Sequence, residues 1–254
     1  MSDNPTIAII GGSGFYHLQS ELERAQEDFL EVETPYSNTA VKLGIEVMNG
    51  CPVFFLARHG EQHRFPPHRI NYRANLCALR DAGVKKIIAV NTVGGISPDL
   101  HPGDLLIPDQ LIDYTWGREH TIFDGLNTLG DHVDFTYPFT RSIREILITE
   151  AEKLALPYTA QGCVGCTQGP RLETAAEIQR LKNDGCDAVG MTMMPEAALA
   201  REMKIDYASI SLVVNKAAGL DGESISIDSI KEVFASGHKI VRELIKACLP
   251  TLLQ

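Results

Sequence analysis

The chain has 254 residues, of which 44% are hydrophobic and 22% charged, a composition typical of a folded globular protein and not of a disordered one. Its 33 acidic residues outnumber its 23 basic residues, and the net charge of -10 argues against a general nucleic-acid-binding protein. A small anionic ligand remains compatible with this charge, because a few cationic side chains can dominate one pocket.

The amino terminus has no basic segment, and its apolar run, IAII, is short. The sequence therefore predicts no signal peptide, and no segment approaches the roughly 20 apolar residues of a membrane span. We expect a cytoplasmic protein without membrane contact, whose cysteines are reduced thiols. The six cysteines are Cys51, Cys77, Cys163, Cys166, Cys186 and Cys248.

Strands and helices are predicted to alternate along the chain. Runs rich in β-branched residues predict buried strands at 7–10, 53–57, 87–91 and 207–215. Apolar residues at helical spacing predict helices at 72–81, 141–154, 173–184, 195–203 and 227–249. This alternation predicts one α/β domain over residues 1–254, with a mixed, mainly parallel central sheet flanked by helices. Ligands of such folds bind beyond the carboxyl ends of the strands.

Three polar segments follow predicted strands and are candidates for one ligand site. Gly11-Gly12-Ser13-Gly14 could present backbone N–H groups and a hydroxyl to an anion, although it matches neither a dinucleotide-binding fingerprint nor a P-loop. Arg58-His59 could bind an anion through charged donors, or could be a solvated basic loop. The third segment, 91–95, reads NTVGG. Three strand ends of one sheet can converge on one crevice.

Other chemistries have little support in the sequence. His59, His63 and His68 lie close together, but no carboxylate or cysteine accompanies them at zinc-ligand spacing, so we expect no metal site. Cys163 and Cys166 have the C-x-x-C spacing without a second pair, and we interpret them as small buried hydrophobic residues. The sequence contains no G-x-S-x-G motif for covalent hydrolysis.

Two further polar residues have both a structural and a functional interpretation. Glu173 opens a predicted helix and could be an acid of the first turn that interacts with the helix dipole. Asn215 closes a strand of β-branched residues, so its amide needs partners, and a ligand is one possibility.

The ordered motifs together resemble a known family. IAIIGGSG, RHG, NTVGG, TQGPRLET, GMTMMPE and SLVVN occur in this order along the chain. The combination resembles the trimeric purine nucleoside phosphorylases, in particular the methylthioadenosine phosphorylase branch and, within it, the bacterial methylthioinosine phosphorylases. The resemblance implies that phosphate attacks the anomeric carbon of a purine nucleoside, without a cofactor, while the protein positions phosphate and stabilises charge on the leaving purine.

The resemblance also implies roles for individual residues. Phosphate would be bound by Ser13, Arg58, His59, Thr92 and Thr192. Met191 would lie under the ribose. Relatives often have a smaller residue at Val93 and an aromatic one at Leu172, so stacking on the base is expected to be weaker here.

The resemblance makes Glu173 and Asn215 the residues that choose the base. Relatives that cleave 6-oxopurine nucleosides have this Glu/Asn pair, whereas those that cleave 6-aminopurine nucleosides have Ser and Asp, and a second acid where Ala217 stands. A Glu173 carboxylate can accept from N1–H of hypoxanthine, while the Asn215 amide can donate to O6 or N7. Adenine would present a lone pair to Glu173, and lost hydrogen bonds of this kind can discriminate by roughly 10⁴–10⁵-fold.

The 5′ end of the substrate is expected to meet an apolar wall. Relatives that accept a free 5′-hydroxyl have a His early in the last helix, where this sequence has Ile227 and Ile230. These residues also fit the core stripe of that helix. A 5′-methylthio group suits such a wall, and Ile227→His should favour inosine. His132 matches a position that in the family reaches the site of a neighbouring subunit, which implies a homotrimer.

The leading hypothesis is a phosphorylase of 5′-methylthioinosine. Alternatives are a methylthioadenosine phosphorylase, a general inosine/guanosine phosphorylase, a nucleosidase that uses water, and a nucleoside-binding protein without activity. The complete set of expected phosphate-binding residues argues against the nucleosidase and against the inactive binding protein. The glycine-rich segment 217–222 is a candidate mobile cover over the site.

Overall fold

The computed structural model describes residues 6–12, 28–48, 50–123, 125, 132–222 and 226–254. These form an α/β domain with one mixed sheet and helices on both faces. The strands are β1 Thr6–Gly11, β2 Asp28–Val32, β3 Val41–Met48, β4 Cys51–Ala57, β5 Val84–Gly95, β6 Leu105–Leu106, β7 Gln110–Asp113, β8 Tyr158–Thr159, β9 Cys163–Cys166, β10 Ala188–Gly190 and β11 Asp206–Lys216. The helices are α1 Tyr72–Asp81, α2 Arg141–Lys153, α3 Ala175–Asn183, α4 Glu196–Glu202 and α5 Ile227–Leu252.

The sheet follows the order β2-β3-β4-β1-β5-β10-β9-β7, and β11 pairs with β5 and β6. The central pairs β4-β1, β1-β5 and β5-β11 are parallel, whereas β2-β3, β3-β4, β5-β10 and β6-β11 are antiparallel. The predicted fold class, a mixed and mainly parallel sheet flanked by helices, is therefore confirmed.

Helices cover both faces of the sheet and bury its apolar side chains. One core cluster joins the sheet to α1 and α4 through residues such as Leu76, Leu79 and Leu199. The other joins it to α2 and α5 through residues such as Leu147 and Leu244. Both faces of the central strands are thus shielded, which explains their continuous β-branched runs.

Strand β5 is longer than its predicted span of 87–91, because the NTVGG segment is part of the strand. On one edge β5 pairs with β11 from Lys86 to Gly95. On the other edge it pairs with β1 as far as Ala89, and with β10 only from Gly94. Between these points β1 and β10 diverge, and such a divergence is where open α/β sheets form ligand crevices.

Helix α5 approaches β11 closely at Gly237, which the helix pattern alone marks as a weak position. A Cβ atom at Gly237 would lie 2.5 Å from Cδ1 of the buried Leu212. The glycine is therefore a contact point between helix and sheet.

All six cysteines are free thiols. Cys163 and Cys166 lie on β9, with Cys166 in the core and Cys163 half-buried. No helix among the described residues combines the length and apolar character that a membrane span requires.

Candidate active site

A cavity of about 580 Å³ opens where β1 and β10 diverge along β5. Its wall combines residues of β5, β10 and β11, the loop after β4, the segment before α3 and one face of α5. The predicted site residues that line it are Arg58, His59, Thr92, Val93, Leu172, Glu173, Met191, Thr192, Asn215, Ala217 and Ile230.

Three predicted site residues are not placed at this cavity. Ser13 and the side chain of Ile227 lie outside the described part of the chain. His132 is exposed and does not line the cavity.

Arg58 is buried and is held by a carboxylate behind the cavity wall. Its Nε and Nη2 donate to Oε2 and Oε1 of Glu196 at 2.7 and 2.9 Å, and its Nη1 donates to the Val90 carbonyl at 2.9 Å. The hydroxyl of Tyr207 also donates to Glu196 at 2.9 Å. Burial by itself would lower the pKa of Arg58, but Glu196 more than offsets it, so the pKa lies above its ordinary value and the cation is permanent.

His59 is fixed by the loop that follows it. Its Nδ1 lies 2.8 Å from the Phe65 carbonyl, and the Phe65 N–H donates to the His59 carbonyl at 3.0 Å. Gly60 enables the turn, since it has φ +72° and an added Cβ would lie 2.9 Å from the Phe65 ring. Burial lowers the pKa of His59 to about 4; the hydrogen bond to the Phe65 carbonyl opposes this shift, and the nearby Arg58 and His63 add smaller lowering effects. The ring is therefore neutral at physiological pH.

Thr192 is connected to β5 and β11 by a buried polar chain. Asn91 donates from Nδ2 to the Thr192 hydroxyl at 2.7 Å, and Ser209 donates to Oδ1 of Asn91 at 2.6 Å. All three residues are buried, and Thr192 and Asn91 line the cavity.

Glu173 and Asn215 both line the cavity, each with hydrogen-bonding capacity left. The Thr167 hydroxyl donates to Oε1 of Glu173 at 2.5 Å, which leaves Oε2 for another donor. Asn215 donates from Nδ2 to the Lys216 carbonyl at 2.6 Å, which leaves a second N–H and the amide oxygen. The interpretation of Glu173 as a first-turn acid is wrong, because α3 begins at Ala175 and its first-turn acid is Glu177.

Glu177 has this position because Thr174 caps the helix. The Thr174 hydroxyl accepts from the Glu177 N–H, and the Glu177 carboxylate accepts from the Thr174 N–H. This capping box starts α3 two residues after Glu173 and leaves Glu173 in the preceding segment, facing the cavity.

Met191 is held by a glycine and by a buried arginine. Gly169 has φ +60°, and an added Cβ would lie 2.5 Å from Sδ of Met191. Arg118, which is 8% exposed, donates to the carbonyls of Met191 and Gln168 at 2.9 and 2.8 Å. One guanidinium therefore connects the segment before α3 to the segment after β10.

The first turns of α5 form an apolar part of the cavity wall. Ile230 lines the cavity as predicted, and Phe234, one turn later, lines it as well. Lys231 lies between them on the same wall. Within the described ranges, no cluster of three or more His, Cys, Asp or Glu side chains is placed to hold a metal ion.

Sequence reasoning gave Glu196, Asn91, Phe234 and Arg118 no individual role at this site, although Asn91 lies in the candidate segment 91–95. The first two lie inside quoted motifs, GMTMMPE and NTVGG, and Phe234 follows Ile230 by one helical turn. No motif in the sequence indicates a role for Arg118, because its hydrogen-bond partners are backbone carbonyls of segments distant in the chain.

Comparison with known proteins places the chain in a family. The sequence model described as phosphorylase superfamily matches residues 6–250. A 6-oxopurine nucleoside phosphorylase of Pyrococcus furiosus is 44% identical, covering 98% of this chain and 93% of that protein. A probable S-methyl-5′-thioinosine phosphorylase of Xylella fastidiosa strain 9a5c is 49% identical, covering 88% of this chain and 94% of that protein.

Solved structures agree with the sequence comparison. The methylthioadenosine phosphorylase of Schistosoma mansoni in complex with tubercidin has a TM-score of 0.87 and 31% identity, covering 98% of this chain and 92% of that chain. The resemblance predicted from the ordered motifs is confirmed, and the chain belongs to the phosphorylase superfamily as a nucleoside phosphorylase.

Proposed function

We propose that this protein cleaves 5′-methylthioinosine with inorganic phosphate, giving hypoxanthine and 5-methylthioribose 1-phosphate. The observation that carries the proposal is that one cavity contains both an anion-binding set, Arg58, His59 and Thr192, and the pair Glu173 and Asn215. The relatives named S-methyl-5′-thioinosine phosphorylase and 6-oxopurine nucleoside phosphorylase support the same assignment.

In the proposed complex, phosphate is bound beside Arg58, His59, Thr92 and Thr192, with Ser13 as a further donor. The permanent charge of Arg58 attracts the anion, and the ribose lies over Met191. The transition state resembles an oxocarbenium ion, in which phosphate approaches one face of the sugar while the purine leaves from the other. The protein then contributes position and electrostatic stabilisation more than covalent chemistry.

The base is proposed to lie against Glu173 and Asn215. The free oxygen of Glu173 accepts from N1–H of hypoxanthine, and the free N–H of Asn215 donates to O6 or N7. Adenine has a lone pair at N1, which the Glu173 carboxylate repels. Val93, Leu172 and Ala217 complete the apolar contacts around the base.

The 5′ end is proposed to contact α5. Ile230 and Phe234 offer apolar surface to a methylthio group and cannot hydrogen-bond a free hydroxyl, while Lys231 on the same wall donates to Asp228 at 3.2 Å. A general 6-oxopurine nucleoside phosphorylase is the second candidate, because the Pyrococcus furiosus relative carries that name. The two candidate functions differ only in the 5′ substituent that the site accepts, a methylthio group or a hydroxyl.

We further propose a cytoplasmic homotrimer in which His132 of a neighbouring copy completes the site. His132 lies on an exposed stretch with Val133 and Tyr137, which are 39% and 72% exposed, and Trp116 is 72% exposed. Exposed apolar side chains of this kind favour a subunit interface. Light scattering should give three times the chain mass, and a monomer in solution would contradict the proposal.

The decisive experiment compares purine release from 5′-methylthioinosine, 5′-methylthioadenosine and inosine, with and without phosphate and with a chelator present. Fast, phosphate-dependent and chelator-resistant cleavage of methylthioinosine alone supports the whole proposal. Equal rates for inosine favour the second candidate. Equal rates for methylthioadenosine contradict the role of Glu173 and Asn215, and release without phosphate contradicts phosphorolysis.

A further inference from the structure

Arg58 and Thr192, two members of the proposed anion-binding set, have hydrogen-bond donors whose orientation is fixed by buried partners. The bonds of Arg58 to Glu196 and Val90 occupy three of its five N–H groups, which leaves two for a ligand. The Thr192 oxygen already accepts from Asn91, whose amide is held by Ser209. The hydroxyl hydrogen of Thr192 is therefore available to a ligand oxygen.

His59, which lines the cavity, differs from these donors because the ring nitrogen left for a ligand, Nε2, is an acceptor. The Phe65 carbonyl can only accept, so Nδ1, at 2.8 Å from it, carries the hydrogen of the neutral ring. Nε2 then has a lone pair, and no described residue is hydrogen-bonded to it. The reciprocal bond from the Phe65 N–H to the His59 carbonyl keeps this loop, and with it the tautomer, in place.

The charged and titratable groups around the His59 ring oppose its protonation. Arg58 is adjacent in sequence and permanently charged, and the ring of His63 stacks on His59 with centroids 4.0 Å apart. Burial is the largest effect that lowers the pKa of His59, and Arg58 and His63 lower it further, while the hydrogen bond to the Phe65 carbonyl acts in the opposite direction. Arg64 also lines the cavity and carries a further positive charge.

We propose that this site recognises the hydrogen of its anion: a phosphate O–H donates to Nε2 of His59 while the bare phosphate oxygens accept from Arg58 and Thr192. The inference rests on the proposed function and adds an ion specificity to it. Sulfate has the same tetrahedral shape, but at neutral pH it has no hydrogen, so its oxygen would face the Nε2 lone pair. Sulfate binds well only after His59 takes up a proton and becomes a donor.

The test is calorimetric titration of the wild-type protein with sulfate and with phosphate, without nucleoside, at about pH 8, where phosphate keeps one hydrogen and sulfate none. Repeating each titration in two buffers of different ionisation enthalpy gives the protons taken up on binding. We expect about one proton per sulfate and none per phosphate, with a sulfate Kd that rises about tenfold per pH unit. Phosphate binding with no detectable sulfate binding also supports the proposal.

Equal proton uptake for the two anions, or sulfate binding without proton uptake, overturns the proposal and leaves the phosphorylase assignment standing. If neither anion binds, the anion site itself is wrong, and the proposed function fails with it.

Two variants identify the responsible group. His59→Gln has an amide that can both donate and accept, so proton uptake with sulfate should disappear and the two Kd values should agree within about threefold. His63→Gln is the matched control, since it changes the stacked ring and keeps the contact of His59 with Phe65; sulfate should still take up a proton. Proton uptake that persists in His59→Gln would assign the effect to another group and overturn the proposal.

Discussion

Nε of Arg58 lies 2.7 Å from Oε2 of Glu196, in a two-point ion pair between residues that are 138 positions apart in the chain. Both side chains are 1% exposed. The desolvation cost of burying these two charges is offset because they form an ion pair with each other and because Tyr207 donates a further hydrogen bond to the carboxylate. Glu196 is therefore a positioning residue, which holds the Arg58 guanidinium at the cavity wall.

Glu196→Gln should weaken phosphate binding and stability together. Removing one partner of a buried pair leaves the other charge uncompensated, at a cost of about 3–5 kcal/mol in unfolding free energy. We expect a lower Tm and a phosphate KM raised by about tenfold or more, with the nucleoside KM little changed. Tyr207→Phe removes one hydrogen bond, worth about 1 kcal/mol, and should have a smaller effect. A folded Glu196→Gln protein with the wild-type phosphate KM would contradict this role.

Asn215→Asp should change the choice of base. An aspartate offers no N–H to O6 of hypoxanthine, and its carboxylate can accept from the 6-amino group of adenine. The ratio of kcat/KM for methylthioinosine over methylthioadenosine should fall by about tenfold or more. Asn183→Asp, on the exposed side of α3, adds the same charge away from the cavity and should leave the ratio unchanged. Unchanged selectivity in Asn215→Asp would refute the base assignment.

Phe234→Ala should reduce the preference for a methylthio group. Phe234 lines the cavity beside Ile230, and an apolar contact of this size is worth about 1–3 kcal/mol. The kcat/KM for methylthioinosine should fall by about tenfold, and that for inosine by much less. Val233→Ala, on the neighbouring position of α5, serves as the control. A loss of the same size for both nucleosides would mean that Phe234 does not contact the 5′ substituent.

The two stacked histidines predict a pH dependence of stability. Burial lowers the folded-state pKa of His59 to about 4, and it lowers that of His63 as well. Since the unfolded chain binds protons near the ordinary value of about 6.5, it binds more protons than the folded protein between about pH 6.5 and 4, and stability falls as the pH falls through this range. Thermal unfolding should show a Tm that declines over this interval, less steeply in His59→Gln. An identical pH profile in the variant would exclude His59 as a contributor.

Gly237→Ala should destabilise the protein although alanine is the better helix former. The gain in helix propensity is about 1 kcal/mol, while the new methyl group would overlap the buried Leu212, and overpacking of this kind costs about 1–3 kcal/mol. Ser236→Ala, at an exposed position of the same helix, gains propensity without overlap and should be neutral or stabilising. Denaturant unfolding measures both, and a stabilised Gly237→Ala would mean that α5 can move away from β11.

The sequence by itself determined the fold class, the five helices and the four strands β1, β4, β5 and β11, whereas strands β2, β3, β6, β7, β8 and β10 were not predicted. Buried strands and amphipathic helices leave a strong periodic pattern, and motifs such as NTVGG and SLVVN place polar groups near strand ends. Eleven of the fourteen residues to which the family resemblance gave a role line one cavity.

Only the tertiary structure decided how these residues are held. The pairing of Arg58 with Glu196, the chain from Ser209 through Asn91, and the carbonyl contacts of Arg118 join segments far apart in sequence. A hydrogen bond depends on distances and angles that no local pattern encodes, so these partners become visible only when the strands are assembled. The same holds for Gly237. Glycine is a poor helix former, but a larger residue at this position of α5 would collide with Leu212 of β11.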